Sequence, residues 1–442
     1  MQERKQNPFL KIWEHLRRES QWFRPGLGYK RWLTLVFLGT TLLGVGLALL
    51  LLDIYRNAPD TWWLPALAYL SLRFLNRPIR VLIFASIGVI LVLIGIWGSN
   101  RSLLQPFVPP GKHIIEALDT YRRRDRGPRV VVLGGGHGLA SLLRGLKEYS
   151  HNITAIVTVT DDGGSSGELR KNVGILPPGD IRNCLAALSN NEDLLSQVFQ
   201  YRFAAGAGLE GHSLGNLFIT ALTEITGSFE EAVAESGRVL AVYGRVLPST
   251  LTDVRLLADL ENGGGNIKHV SGESLIRETE GRIQRLWLDP ANTPAFPPAI
   301  AAILGADLIL IGPGSLYTSL LPNLLVRDIA DAVRVSQAMK FFVCNVATER
   351  GETDDFSCLD HVQSVEKHVG EGLFDLVICN NNFQGQLGKD VDWVKMDANL
   401  LRHSAVYCAD LIDMTYPWRH DSARLAKSVM DLFFERTGPL RD

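Results

Sequence analysis

Residues 130–139 read VVVLGGGHGL. Four apolar residues run into three consecutive glycines, Gly134, Gly135 and Gly136, and an apolar helical pattern starts at Leu139. A buried strand that passes through glycine into a helix brings free backbone N–H groups and the positive end of a helix dipole to one point, which suits phosphate. Counted from Gly134, the dinucleotide spacing G-x-G-x-x-G requires glycine at 139, where Leu139 stands. The stretch therefore specifies a strand–turn–helix unit without specifying a hydride carrier.

Outward from this stretch, short apolar runs alternate with longer amphipathic ones. Strands are predicted at 129–133, 153–159, 307–311, 340–346 and 374–379, and most are followed by a glycine or polar turn. Parallel strands buried on both faces read this way. Helices are predicted at 138–149, 180–189, 213–226, 229–241, 325–337, 357–369 and 420–435. This alternation specifies an α/β fold with a doubly wound, mostly parallel sheet, whose ligands sit at the carboxyl ends of the strands.

Charge divides the chain. Residues 1–128 carry 18 Lys and Arg against 8 Asp and Glu, and the chain totals of 45 and 47 leave 27 and 39 for the rest. A basic head thus precedes an acidic body. Residues 32–52 and 81–98 contain no charged residue, and a hydrocarbon core of about 30 Å needs roughly 20 apolar helical residues to cross. Two transmembrane helices are expected there, within a membrane anchor at 1–118. The stretch 119–128 (DTYRRRDRGP) is expected as a linker, and 129–442 as the α/β domain. Lys and Arg crowd both outer flanks, with Arg56, Arg73, Arg77 and Arg80 between the runs. That places both termini and the body on the cytoplasmic side of the cell membrane. The first run starts too late and is too long for a signal peptide. Neither run holds a charged residue or a histidine, which argues against an ion path or proton relay. Residues 62–75, WWLPALAYLSLRFL, read equally as an interfacial helix or as a segment packed on the spans.

Cys184, Cys344, Cys358, Cys379 and Cys408 show neither a CxxC pair nor metal-ligand spacing, so reduced and mostly buried thiols are expected.

The polar motifs fall where such a sheet holds ligands. The second strand ends in TVTDDGGSSGELR, 158–170. Asp161 and Asp162 there suit a ribose hydroxyl or a divalent cation, and Gly163, Gly164, Ser165, Ser166 and Gly167 form a second anion-ready turn. PPGDIRN (177–183), GHSLGNL (211–217) and IGPGSLYTSLLPN (311–323) follow. Each has a plain structural explanation: turn geometry for the glycines, helix caps for the two aspartates, and core bracing for His212 and Asn216. Taken together, at least three glycine and hydroxyl turns with paired carboxylates point to one phosphate-bearing ligand. No G-x-x-x-x-G-K-[ST] string is present, which disfavours a P-loop nucleotidase. GHSLG matches a nucleophile elbow, but the preceding FAAGAGLE does not read as a strand.

With these motifs in hand, the body resembles the CofD-like family from about Val130 to about Arg424, and within it the YvcK-type gluconeogenesis-factor branch. The blocks that carry the resemblance are VVVLGGGHGL, VTVTDDGGSSGELR, PPGDIRNCL, GHSLGNL, LPSTL, ADLILIGPGSLYTSLLPNLLV and ERGETDDFS. The resemblance implies a Rossmann-like fold with an added helical portion. Its enzymatic branch transfers a phospholactyl group from a nucleotide-activated donor to a deazaflavin hydroxyl with Mg²⁺. Its YvcK-type branch binds UDP-sugars such as UDP-N-acetylglucosamine and is tied to cell shape and wall synthesis. On that resemblance Gly134, Gly135, Gly136, Gly138, Gly312, Gly314 and Ser315 would cradle a diphosphate. Asp161, or Asp162 beside it, would hold Mg²⁺ or a ribose hydroxyl. Asn183 and Asn216 would meet base or sugar, and Tyr243 with Arg245 would form an aromatic–cation pair for the sugar nucleotide. Gly163, Gly164, Ser165 and Ser166 complete the expected ligand set.

The expectation is a UDP-sugar-binding regulator at the cytoplasmic membrane face, acting on cell shape through envelope-synthesis partners. The alternative is a Mg²⁺-dependent transferase resembling the 2-phospho-L-lactate enzymes, with Asp161 as its catalytic group. A homodimer is expected, with no nucleic-acid partner and no tightly bound redox cofactor. The head departs from the soluble members of the family, which usually begin near the glycine turn. His137 is left without a role.

Overall fold

The structure is a computed structural model. It describes residues 127–189 and 194–438 continuously, residues 124 and 125, the segment 74–104, and scattered positions between 37 and 72. Two units divide between Arg122 and Arg123, inside the stretch read as a linker.

In the first unit, helix α1 spans Arg77–Leu104 and contains the second uncharged run. Much of the first run and most of 62–75 lie outside the described residues. Among the described residues no helix is long and apolar enough to cross a membrane, so the expected two-span anchor is not supported. Val81, Leu82, Phe84, Ile87 and Ile90 of α1 are nevertheless exposed.

The second unit is built on a seven-stranded sheet. Its strands are β1 (Val130–Gly134), β2 (Ile153–Val157), β3 (Arg245–Pro248), β7 (Leu308–Ile311), β8 (Met339–Val343), β9 (Leu376–Asn380) and β10 (Val406–Ala409), in the order β10-β9-β8-β7-β1-β2-β3. Every pairing is parallel. All five predicted strands form. β3 and β10 escape the periodicity because each is a four-residue edge strand with partly exposed positions.

Alternate residues of β1 serve opposite faces. Val130 and Val132 join one apolar cluster, whereas Val131 and Leu133 join the other. Such two-sided burial is why the strand reads as a continuous apolar run.

On one face lie α2 (Gly136–Leu146), α4 (Gly179–Leu188) and the final helix α12 (Ser422–Thr437). Helix α3 (Gly164–Val173) follows β2. The added helical portion is α4, α5 (Leu194–Gln200), α6 (Leu214–Thr226) and α7 (Phe229–Val239), inserted between β2 and β3. The opposite face carries an element the sequence did not signal: a three-stranded sheet of β4 (Arg255–Glu261), β5 (Ile267–Ser271) and β6 (Arg282–Asp289), antiparallel in the order β5-β4-β6. Leu256, Ala258 and Leu260 of β4 alternate into the core. Helices α8 (Glu273–Glu278), α9 (Pro297–Leu304), α10 (Arg327–Val335) and α11 (Cys358–Val369) complete this side.

The chain order reverses at β1, which pairs with β2 on one side and β7 on the other. A crevice opens at such a switch point, beyond the carboxyl ends of the strands.

Candidate functional site: a cleft at the switch point

A cavity of about 530 Å³ occupies that crevice. The Gly135–Gly138 turn after β1 and the Pro313–Ser315 turn after β7 line it, together with Asn345–Arg350 after β8 and Trp418–His420 before α12.

The two glycine turns touch. A Cβ on Gly138 would lie 3.0 Å from both the Gly314 Cα and the Pro313 carbonyl oxygen, so side chains are excluded where the turns meet. Asn345 fixes the second turn by accepting from the Gly314 N–H at 3.1 Å and donating to its carbonyl at 3.0 Å. Asn323 donates to the Gly134 carbonyl at 2.9 Å and so ties the end of β1 to the segment after β7. Helix α2 begins at Gly135 with no side-chain cap, which leaves N–H groups of its first turn for other acceptors.

One such acceptor belongs to the protein. The Asp180 carboxyl receives the Gly136 N–H; burial first, and then Asp161, raise it to about 6. Part of the residue still reaches solvent. Gly135 makes room for it, since a Cβ there would lie 2.4 Å from Asp180 Oδ2. On the opposite wall, burial and then Glu352 raise Glu349 to about 7. Glu352 accepts from Arg277 Nε at 2.9 Å and from Thr318 at 3.1 Å, and also from Ser315. Ser315 is thus turned toward Glu352. His137 and His420 also line the cleft. Burial is the first cause lowering each imidazole, for His420 to about 4, and Arg419, Arg182 and Arg144 add to it for His137. Both rings are neutral near pH 7.

These shifts have a sign. Glu349 and Asp180 keep protons in the folded chain at pH values where freely solvated glutamic and aspartic acids, at 4.5 and 3.8, have lost them. The folded state then binds more protons than the unfolded one, so stability falls as pH rises through this window to about 7 and levels off above it. Glu349→Gln is expected to flatten the loss in melting temperature between about pH 5.5 and about pH 8. An unchanged pH profile in that variant would contradict the assignment.

The structure separates the residues expected at the site. Gly135, Gly136 and Gly138 line the cleft with Gly314 and Ser315, while Gly134 and Gly312 stand at the strand ends behind them. Asp162 accepts the Ser274 N–H at 2.9 Å and its hydroxyl, both on Oδ1, and so holds the first turn of α8. Asp161 accepts the Gly163 N–H at 3.0 Å. It lies in a carboxylate group with Asp180 and Glu273, whose carboxyl is raised by burial and then by Asp161. Among the described residues no group of three or more His, Cys, Asp or Glu could hold a metal ion. The described side chains by themselves therefore do not form a Mg²⁺ cage.

Gly163 and Gly164 open α3. Ser165, Asn183 and Asn216 are buried in a second polar cluster among the helices, and Ser166 is buried beside Gly179 and Asp161. Tyr243 and Arg245 are not brought to either place. Arg245 begins β3 and pairs with Thr154 near the start of β2, and Tyr243 stacks on His151 at 4.0 Å. Both stand at the amino ends of the strands, across the sheet from the cleft.

Sequence reasoning missed Asn345, Glu349, Arg350, Trp418 and Arg419. The signals were there: polar ERGETDDFS after a predicted strand, and YPWRH (416–420), an aromatic–cation string ahead of the last helix.

The comparisons with known proteins agree with this architecture. The model of the family described as "2-phospho-L-lactate transferase CofD" matches residues 130–411. A putative gluconeogenesis factor of Nostoc sp. is 51% identical over 379 residues, covering 82% of this chain and 80% of the relative. The gluconeogenesis factor of Bacillus subtilis is 45% identical over 323 residues, covering 70% of this chain and 99% of its own length. A crystal structure of a Bacillus halodurans protein superimposes with a TM-score of 0.64 at 41% identity, covering 69% of this chain and 99% of that one. The chain belongs to the CofD family, and its relatives include the gluconeogenesis factors.

Proposed function

We propose that the chain binds a UDP-sugar of the UDP-N-acetylglucosamine kind in the switch-point cleft and regulates cell shape and envelope synthesis through a protein partner. The observation that carries this reading is the cleft itself. Two glycine turns in contact present backbone to one side, and Arg350, Trp418 and Arg419 stand on the other. Backbone N–H groups and guanidinium suit a diphosphate, and an indole suits a flat base or the apolar face of a sugar. The relatives' description as gluconeogenesis factors supports the regulatory role. Placement at the cytoplasmic membrane face is part of the proposal and rests on the uncharged runs and the Lys and Arg around them.

One observation favours the transferase alternative. Asp180, raised to about 6 beside the glycine turn, is a carboxyl of the kind that takes a proton from an attacking hydroxyl. In that reading Mg²⁺ would arrive with the phosphates, as it commonly does.

The test is a binding panel on the full chain with UDP-N-acetylglucosamine, GTP, NAD and a deazaflavin, with and without Mg²⁺, and a turnover assay that supplies the deazaflavin together with a nucleotide-activated phospholactyl donor. Ligand at about 100 Kd adds roughly 2.7 kcal/mol of stability. A melting shift with UDP-N-acetylglucosamine and no turnover supports the regulator. Turnover of the deazaflavin with no UDP-sugar shift overturns it in favour of the transferase.

A further inference from the structure

Helices α3, α4, α5 and α6 enclose a polar cluster apart from the residues that line the cleft. Its centre is Arg182 of α4, only 7% exposed. A buried guanidinium normally meets a carboxylate, because a desolvated charge is costly when unpaired. Arg182 instead donates to the Ser213 hydroxyl and, at 3.0 Å, to Asn183 Oδ1, both neutral, and its Nε has no partner. Burial, and then the neighbouring positive charge of Arg202, lower its pKa to about 10, against the opposing pull of the Asp180 and Asp161 carboxylates. Arg202 pairs with Ser213, the residue whose hydroxyl Arg182 reaches, so two guanidinium-bearing residues meet at Ser213, and no carboxylate hydrogen-bonds to the buried one.

The surroundings are those of an anion site. Ser213 caps α6, and Asn216 in the first turn of α6 reaches α3 by donating to Ser165 Oγ at 3.0 Å. Ser165 stands in the first turn of α3, whose N-cap Gly163 provides no side-chain cap. His212 braces that turn, with Nδ1 2.9 Å from Ser165 Oγ and Nε2 3.1 Å from Glu168. Free N–H groups at a helix start favour negative charge. The orphaned Arg182 Nε is an independent sign that a partner is missing.

We infer that Arg182 and Arg202, linked through the first turn of α6 to the first turn of α3, form an oxyanion subsite for a phosphate or carboxylate group of a small molecule. Two sources have this chemistry: a second ligand, or the far end of the ligand held in the cleft. Arg182 is within electrostatic reach of His137 in the glycine turn, which allows the second. The subsite needs only an oxyanion and does not depend on the UDP-sugar reading.

The experiment titrates pyrophosphate into the full chain at constant ionic strength, by calorimetry and by melting. Wild type is expected to bind, and Arg182→Met and Arg202→Met are each expected to weaken binding roughly tenfold or more, the scale of a charge-assisted contact. Arg202 is exposed, so its variant should melt as cooperatively as wild type even if the Arg182 variant does not. Pyrophosphate seated only between the glycine turns would be indifferent to Arg202. No binding by wild type, or undiminished binding by the Arg202 variant, overturns the inference. Repeating the titration with saturating UDP-N-acetylglucosamine distinguishes the sources. Additive binding marks a second ligand, and displacement marks the far end of the first. Should UDP-N-acetylglucosamine fail to bind while pyrophosphate still depends on both arginines, the proposed function fails and the subsite stands.

Discussion

Arg419→Ala is expected to weaken UDP-sugar binding by about 10- to 100-fold, the equivalent of one or two charge-assisted hydrogen bonds lost to a phosphate. Arg419 is exposed at the rim of the cleft, its guanidinium 5.5 Å from the centre of the Tyr416 ring. Among the described residues it pairs with no carboxylate, so its charge is available to a ligand. Because it is exposed, its removal should leave the melting temperature of the free protein close to that of wild type. Calorimetric titration of both proteins checks this. Equal affinities would remove Arg419 from the site and weaken the case for a diphosphate in the cleft.

The largest effect on stability is expected from Gly167→Ala, about 3 kcal/mol or more. A Cβ on Gly167 would lie 1.9 Å from the Asp162 carbonyl oxygen and 2.4 Å from its carbon. Backbone cannot rotate away, so the start of α3 must come apart from the end of the β2 loop. Gly164 in the same motif is the contrasting case. Nothing lies within 4 Å of its missing Cβ, and only its φ of +45° disfavours a side chain. Gly164→Ala should cost about 1–2 kcal/mol, the strain of a left-handed residue. Denaturant unfolding of the pair checks the ranking, and equal losses would contradict it.

This pair also shows what the sequence made legible. DDGGSSG reads as an anion loop because glycine and serine often serve that purpose, yet at Gly167 the glycine is required by a backbone contact within the chain. Gly135 is similar, since it clears space for Asp180. Composition cannot tell a glycine that admits a ligand from one that admits another part of the protein. The central strands were legible because burial on both faces writes an unbroken apolar run, as in β1 and β7. The edge strand β3 was not, and without it nothing in the sequence told which end of the sheet Tyr243 and Arg245, named there on the family resemblance, would occupy. Residues before a parallel strand lie at the edge opposite those after it, so missing the strand leaves the placement open. Half of the cleft was hidden for another reason. Asn345–Arg350 and Trp418–His420 reach the glycine turns only because β8 lies beside β7 and α12 packs on α2. Strand order fixes that convergence, and no local motif states it.

The central claim is that the two glycine turns and the Arg419 rim form one ligand site. The most direct measurement is a crystal structure of the full chain grown with UDP-N-acetylglucosamine. Diphosphate density between Gly135–Gly138 and Pro313–Ser315, with base or sugar against Trp418, is the result expected. A ligand bound elsewhere, with this cleft holding only solvent, would contradict the account.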